Sequence, residues 1–228
     1  SFENATFDGK LMAMPSISPG ADAIPILFVR GDWMDELGLD EPKTVEDITN
    51  IVKAFKEKYG DSNSLVMSQN IVSENGNNTY GMDALFALYG AYPKHWVTDA
   101  DGNLVYGSNT DEAKTALAEI RKLVEDGTID ASFTVRDSDQ CAELVTSGQA
   151  GIFFGAWWNM SWPLNNMVEE DPNIYWNAYL APLTDDGTYN TANLCPSSSF
   201  MVIKAGASEE VKEAAVKVMN YQFDIDQD

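Results

Sequence analysis

Short apolar runs alternate with amphipathic helical segments along the whole chain, and this alternation confines it to the α/β class. Residues 24–30 (IPILFVR) read as a buried strand, with Pro25 tolerated near its start. Residues 11–14 read as a strand ended by Pro15, with Met12 and Met14 as core rather than ligand wall. A short helix follows over 32–37, stopped at Gly38. Thr44 is a candidate N-cap with Asp47 three residues on, and Val45, Ile48, Ile51, Val52 and Phe55 then recur at helical spacing. Residues 65–67 suggest a short strand, 73–79 a loop, and 80–88 an apolar helix. Residues 99–103 (DADGN) read as a hairpin turn. They narrowly miss a calcium loop, because the glycine sits one position early and no acid occupies the final ligand position.

The clearest helix spans 109–126. Asp111 and Glu112 sit at its positive end, Ala113, Ala116, Leu117, Ile120, Leu123 and Val124 form its apolar stripe, and Gly127 suits C′. A helix over 138–147 leads to a strand at 152–154. A helix at 163–169, strands at 174–180 and 199–203, and a final helix capped by Ser208 follow. The pattern is not a clean βαβ ladder.

Composition narrows function. With 14 Lys plus Arg against 36 Asp plus Glu, the net charge is −22. Such a surface repels phosphate, which excludes nucleic acid and polybasic docking on anionic membranes. Hydrophobic residues at 44% and aromatics at 11% supply ample core and exclude disorder. No apolar run reaches the roughly 18 residues of a transmembrane helix. Residues 1–4 lack a signal-peptide pattern and read as a cut point. Cys141 lies on a helical pattern as a small buried hydrophobe, and spacing alone leaves a bridge to Cys195 open. Two Cys and one His make no zinc set, and no metal or cofactor is expected.

Nucleotide, hydrolase and metalloprotease signatures are absent. His95, the single histidine, reads as structural. Paired carboxylates could serve a glycosidase, but so many acids single out no pair. The informative cluster is aromatic. Trp157 and Trp158 directly follow a strand and a glycine, Trp162 comes shortly after, and Asn159 and Ser161 are interleaved. Tyr92, Pro93 and Trp96 form a second group. A wide apolar face beside amides suits a flat polyhydroxylated ligand, whose C–H faces stack while its hydroxyls hydrogen-bond. Core packing of the same indoles is the alternative. Arg30 ends a buried strand and reads as an ion-pair anchor for Asp32 or Asp35.

Residues 8–15 (DGKLMAMP), 26–39 (ILFVRGDWMDELGL), 42–47 (PKTVED), 144–155 (LVTSGQAGIFFG), 181–184 (APLT) and 198–203 (SSFMVI) resemble, in order, segments of the family-1 extracellular solute-binding proteins of bacterial ABC importers. The resemblance implies a type II periplasmic-binding-protein-like fold with two lobes hinged about a cleft, most members carrying sugars or oligosaccharides. It implies that residues 1–203 are the second, C-terminal lobe, with interlobe crossings near 10–16 and 196–203. Residues 204–228 then form a return helix that packs on a first lobe lying outside this chain, or else remains loosely packed or pairs with a neighbouring chain. By position, Ser16, Trp157 and Trp158 line the cleft, with Asp83, Tyr92, Asn159 and Ser198 as extrapolations. The family's aspartate-rich calcium loop has no clear counterpart around residues 60–63. The implied protein is extracellular or periplasmic, lipid-anchored, non-enzymatic and monomeric when intact, with an oligomer conceivable for a fragment and an ABC permease as partner. A peptide or other polar metabolite as ligand, a carbohydrate-active hydrolase and a surface adhesion module are the competing readings.

Overall fold

A computed structural model describes residues 2–17, 24–73, 79–192, 197 and 199–225. In chain order the strands are β1 (Thr6–Phe7), β2 (Lys10–Leu11), β3 (Met14–Ser16), β4 (Ile26–Arg30), β5 (Trp96–Thr98), β6 (Leu104–Tyr106), β7 (Ile152–Gly155), β8 (Trp176–Tyr179) and β9 (Ser199–Met201). The helices are α1 (Gly31–Leu37), α2 (Val45–Tyr59), α3 (Asp83–Leu88), α4 (Asp111–Glu125), α5 (Ser138–Thr146), α6 (Leu164–Glu170) and α7 (Glu209–Ile225). The chain divides into a larger unit, Ala21–Leu194, and a smaller one made of Ser1–Gly20 and Cys195–Asp228. The smaller unit thus joins the first twenty residues with the C-terminal segment.

The larger unit is organised around an antiparallel sheet of order β7-β4-β8. Its central strand pairs Ile26 with Gly155 and Leu27 with Phe154 on one side, and Leu27 with Tyr179 on the other. Residues 65 and 66 extend the pairing through parallel bridges to Ile129 and Phe153 rather than forming the expected strand. Both sheet faces are covered, which explains why β4 is apolar from Ile26 to Val29. Leu27, Val29, Ile152 and Phe154 face a core built with Trp33, Ile48, Ile51, Phe55, Leu85, Ile120 and Leu123 from α1 to α4. Phe28, Phe153 and Trp176 face the opposite side, against Cys141 and Val145 of α5 and Leu164 and Met167 of α6. This is the period-two alternation of a strand resolved into two helical layers. Each fully buried large side chain here contributes roughly 1.5–3 kcal/mol.

Local chemistry sets the helix ends. Thr44 Oγ1 accepts from the Asp47 N–H at 3.1 Å, and Asp47 Oδ2 accepts from the Thr44 N–H at 2.8 Å, a reciprocal capping box. Thr110 caps α4, and Gly127 follows with φ +78°. Leu117 departs from the expected stripe and is 49% exposed. The expected helix over 80–88 begins only at Asp83, because Tyr80 holds φ +65°, outside the right-handed helical region. The 99–103 turn closes the β5–β6 hairpin, with the Asp99 carboxylate accepting from the N–H groups of Asp101 and Asn103. Arg30 is buried and paired with Asp32 at 2.5 Å, its guanidinium 4.5 Å from the Trp33 ring centroid. Cys141 is a free, buried thiol that donates to the Met67 carbonyl; Cys195 lies outside the described residues.

The smaller unit carries two ribbons, β1 with β2 and β3 with β9. Pro15 lies inside β3 opposite Phe200, so the strand continues through it. Met12 and Met14, expected in a core, are exposed, because this unit offers two-stranded ribbons rather than a layered interior. On α7, Val211, Val216, Val218 and Tyr221 are exposed.

Candidate functional site

β7 delivers the chain to one end of the three-stranded sheet, where Gly155 pairs with Ile26. A 3₁₀ turn over Trp157–Met160 follows at once. Its geometry depends on Asn159, which is 0% exposed. Asn159 Oδ1 accepts from the Ala156 N–H at 2.7 Å and from the Thr79 hydroxyl at 3.0 Å. Its Nδ2 donates to the Trp162 carbonyl at 3.3 Å. This inward fold requires glycine at 155, since a Cβ there would lie 2.4 Å from Asn159 Oδ1.

With the amide turned in, the apolar side chains turn out. Trp157 is 56% exposed, Trp162 is 55% exposed, Met160 is exposed and Trp158 is half-buried. The turn thus presents large rings to solvent from a backbone fixed by buried hydrogen bonds. Large apolar side chains exposed on one turn point to an interaction surface, and indole faces suit sugar rings. Asn159 was expected to meet the ligand. Its buried amide is instead engaged by the turn, so it positions the indoles and does not itself face outward.

Asp83 and Tyr92, far apart in sequence from the tryptophans, line a small, water-sized concavity of about 20 Å³ with Pro25, Phe86, His95 and Thr191. Asp83 opens α3, and its Oδ1 accepts from the Ser73 N–H at 3.1 Å. Pro25 immediately precedes β4, so this concavity lies at the same sheet end as the Trp157 turn. The Thr79–Asn159 bond and the Tyr80 N–H donating to Phe154 at 2.7 Å tie the segment leading into α3 to the turn. Tyr189 donates its hydroxyl to the Pro25 carbonyl, and burial, helped by the Asp83 carboxylate, pushes its phenol pKa up. Ser16 is exposed on β3 of the smaller unit, opposite Ser199. Ser198 lies outside the described residues. Among the described residues, no group of three or more His, Cys, Asp and Glu is placed to hold a metal ion.

Sequence reasoning singled out Trp157 and Trp158 but did not nominate Trp162, Thr79 or Gly155 as site residues. Trp162 carried a local signal, a third tryptophan just past the pair. Thr79 carried none.

The sequence profile of the bacterial extracellular solute-binding proteins matches residues 4–227. The chain belongs to that family. Among its relatives is the lipoprotein LipO of Bacillus subtilis (strain 168), 32% identical over 140 residues, or 55% of this chain and 25% of LipO. The polygalacturonan/rhamnogalacturonan-binding protein YtcQ of the same organism is 29% identical over 153 residues, 67% of this chain and 30% of YtcQ. The fructooligosaccharide ABC transporter substrate-binding protein FusA of Streptococcus pneumoniae is 28% identical over 172 residues, 71% of this chain and 30% of FusA. The structure of FusA with kestose superposes with a TM-score of 0.63 at 22% identity, covering 90% of this chain and 43% of FusA, which supports the type II periplasmic-binding-protein-like fold. Matches to these curated relatives span between a quarter and a third of their length. The family, and YtcQ and FusA by description, are binding proteins.

Proposed function

We propose that this chain is part of an extracellular solute-binding protein that captures oligosaccharides for an ABC importer. In this reading Trp157, Trp158 and Trp162 stack on sugar C–H faces, while Asp83 and Tyr92 bond hydroxyls from the adjoining concavity. Ser16 and Ser198, named by the family resemblance, are further proposed ligand contacts. The single observation that carries the reading is the turn itself: two indoles more than half exposed at a strand end, on a backbone pinned by the buried Asn159 amide. A core role would bury those rings, and a catalytic role would require an acid–base pair the turn does not contain. The names of FusA and YtcQ, both carbohydrate binders by description, favour the same ligand class.

The intact protein would be a monomer, lipid-anchored outside the membrane and delivering ligand to a permease. The exposed valines of α7 would pack on residues of the whole protein that lie outside this chain. Thermal shift of the intact protein against sugar and peptide panels tests the capture reading. A sugar-selective rise in Tm is expected, lost in the Trp157→Ala, Trp158→Ala double variant. A folded intact protein that responds to no sugar, or a double variant that responds like wild type, would sink it.

A further inference from the structure

Trp96, from the second aromatic group of the sequence, stands on the β5–β6 hairpin. The register pairs Trp96 with Tyr106 and Thr98 with Leu104. Strand alternation puts these four side chains on one face and the half-buried Val97 and Val105 on the other. That face is open to solvent: Trp96 and Leu104 are each 66% exposed, and Tyr106 and Thr98 are exposed beside them. The two rings meet at 5.5 Å between centroids and 58° between planes, so they splay apart and leave the indole an open face. The backbone beneath them is pinned. At the base, the Gly107 N–H donates to the His95 carbonyl at 2.8 Å, and the Lys94 N–H donates to Ser108 Oγ at 2.8 Å. At the tip, the Asp99 N–H donates to the Asn103 carbonyl at 2.9 Å. Glycine is required at 107, since a Cβ there would lie 2.2 Å from the Tyr92 carbonyl oxygen.

We infer that this hairpin face is a second sugar-stacking platform, which adapts the protein to long oligosaccharide chains. The inference rests on the capture reading above and adds a contact surface to it. Two observations select the occupant. The first is position. Tyr92, Pro93 and His95, at the hairpin base, share a wall with Pro25, and the next residue, Ile26, pairs with Gly155 at the root of the Trp157 turn. Both platforms thus stand at one end of the sheet, and a single extended ligand lying across that end can reach both. The second is size. Trp96, Leu104 and Tyr106 together expose roughly 400 Å², about half of what one side of a stable protein–protein interface buries. The patch is small for a second copy or a protein partner and matches a few sugar rings. Their C–H faces would stack on Trp96 and Tyr106, while Thr98 on the same face and Asp101 at the tip bond hydroxyls.

The test is calorimetric titration of the intact protein with fructo-, malto- and xylo-oligosaccharides, each series run from the disaccharide to long chains. Wild type is compared with Trp96→Ala, Trp96→Phe and Trp157→Ala, each checked for a cooperative thermal transition. In the series that binds, wild-type affinity is expected to rise with chain length. Trp96→Ala should weaken the long chains by at least about fivefold while leaving the shortest binder within about twofold of wild type. Trp96→Phe, which keeps a stacking ring, should retain most of the increment, and Trp157→Ala should weaken every length. A Trp96→Ala that binds all lengths as wild type does, or that weakens all lengths alike, would overturn the inference. Capture by the Trp157 turn would still stand if Trp157→Ala removes binding. Self-association of the intact protein that disappears in Trp96→Ala would also overturn it, by assigning the face to a second copy. A wild type that binds no series would sink the capture reading, and this inference with it.

Discussion

Replacing Asn159 with alanine isolates what holds the tryptophan turn in place. The substitution deletes three hydrogen bonds at a site that is 0% exposed: those from Ala156 N–H and the Thr79 hydroxyl, and that to the Trp162 carbonyl. A typical intramolecular hydrogen bond contributes about 1 kcal/mol net, and a buried donor left without an acceptor costs about 1–3 kcal/mol. Ala156 is itself buried, so water does not readily replace the lost acceptor. The sum is a destabilisation of about 3 kcal/mol, which for a domain of this size lowers Tm by roughly 6–12 °C. Trp157→Ala offers the contrast. Its ring is 56% exposed, so truncation removes about half of what a buried indole contributes and lowers Tm less than Asn159→Ala does. Calorimetric scans of the intact wild type and both variants, each with and without a bound sugar, provide the comparison. Asn159→Ala is expected to lose stability and ligand response together, and Trp157→Ala to lose ligand response with a smaller loss of stability. A stable Asn159→Ala, or a Trp157→Ala as destabilised as Asn159→Ala, would refute the division of labour between a buried staple and an exposed platform.

Other outcomes follow from local chemistry. Thr44→Ala removes one arm of the α2 capping box and should destabilise by about 1 kcal/mol in chemical unfolding. The other arm is pH-sensitive: hydrogen bonding from the Lys43 N–H, with smaller help from Thr44, holds the Asp47 carboxyl below the usual range. Its stabilisation is therefore complete above the ordinary aspartate pKa near 4 and is lost as pH falls through the depressed folded value, so the stability gap between wild type and Asp47→Asn should be full at neutral pH and close in strong acid. Burial pushes the Cys141 thiol up to about 12, so mass-resolved labelling at mildly alkaline pH should leave it unmodified until the chain is unfolded.

The parts of the structure readable in the sequence are those made by neighbours. The Thr44–Asp47 box and the Asp99–Asn103 turn join groups within four residues, so composition and spacing suffice. The buried run at β4 was equally plain, since continuous apolarity has few other uses. Leu117 shows the limit, because helical spacing places a residue on a stripe but not the width of the surface that stripe meets. The Leu65–Met67 segment shows another, since a β-prone run forms a strand only where a partner edge is long enough, and only isolated bridges form here.

The candidate site divides the same way. The sequence by itself determined the class, the family and the presence of an aromatic cluster behind a strand. Only the tertiary structure decided which way each side chain points. Between two tryptophans an asparagine looks like a ligand-facing amide. It turns inward because Thr79, eighty residues earlier, supplies a hydroxyl to its Oδ1, and because Gly155 leaves room for it. Both conditions belong to the packed molecule, where segments remote in sequence are brought within hydrogen-bond distance, and no local pattern carries that information.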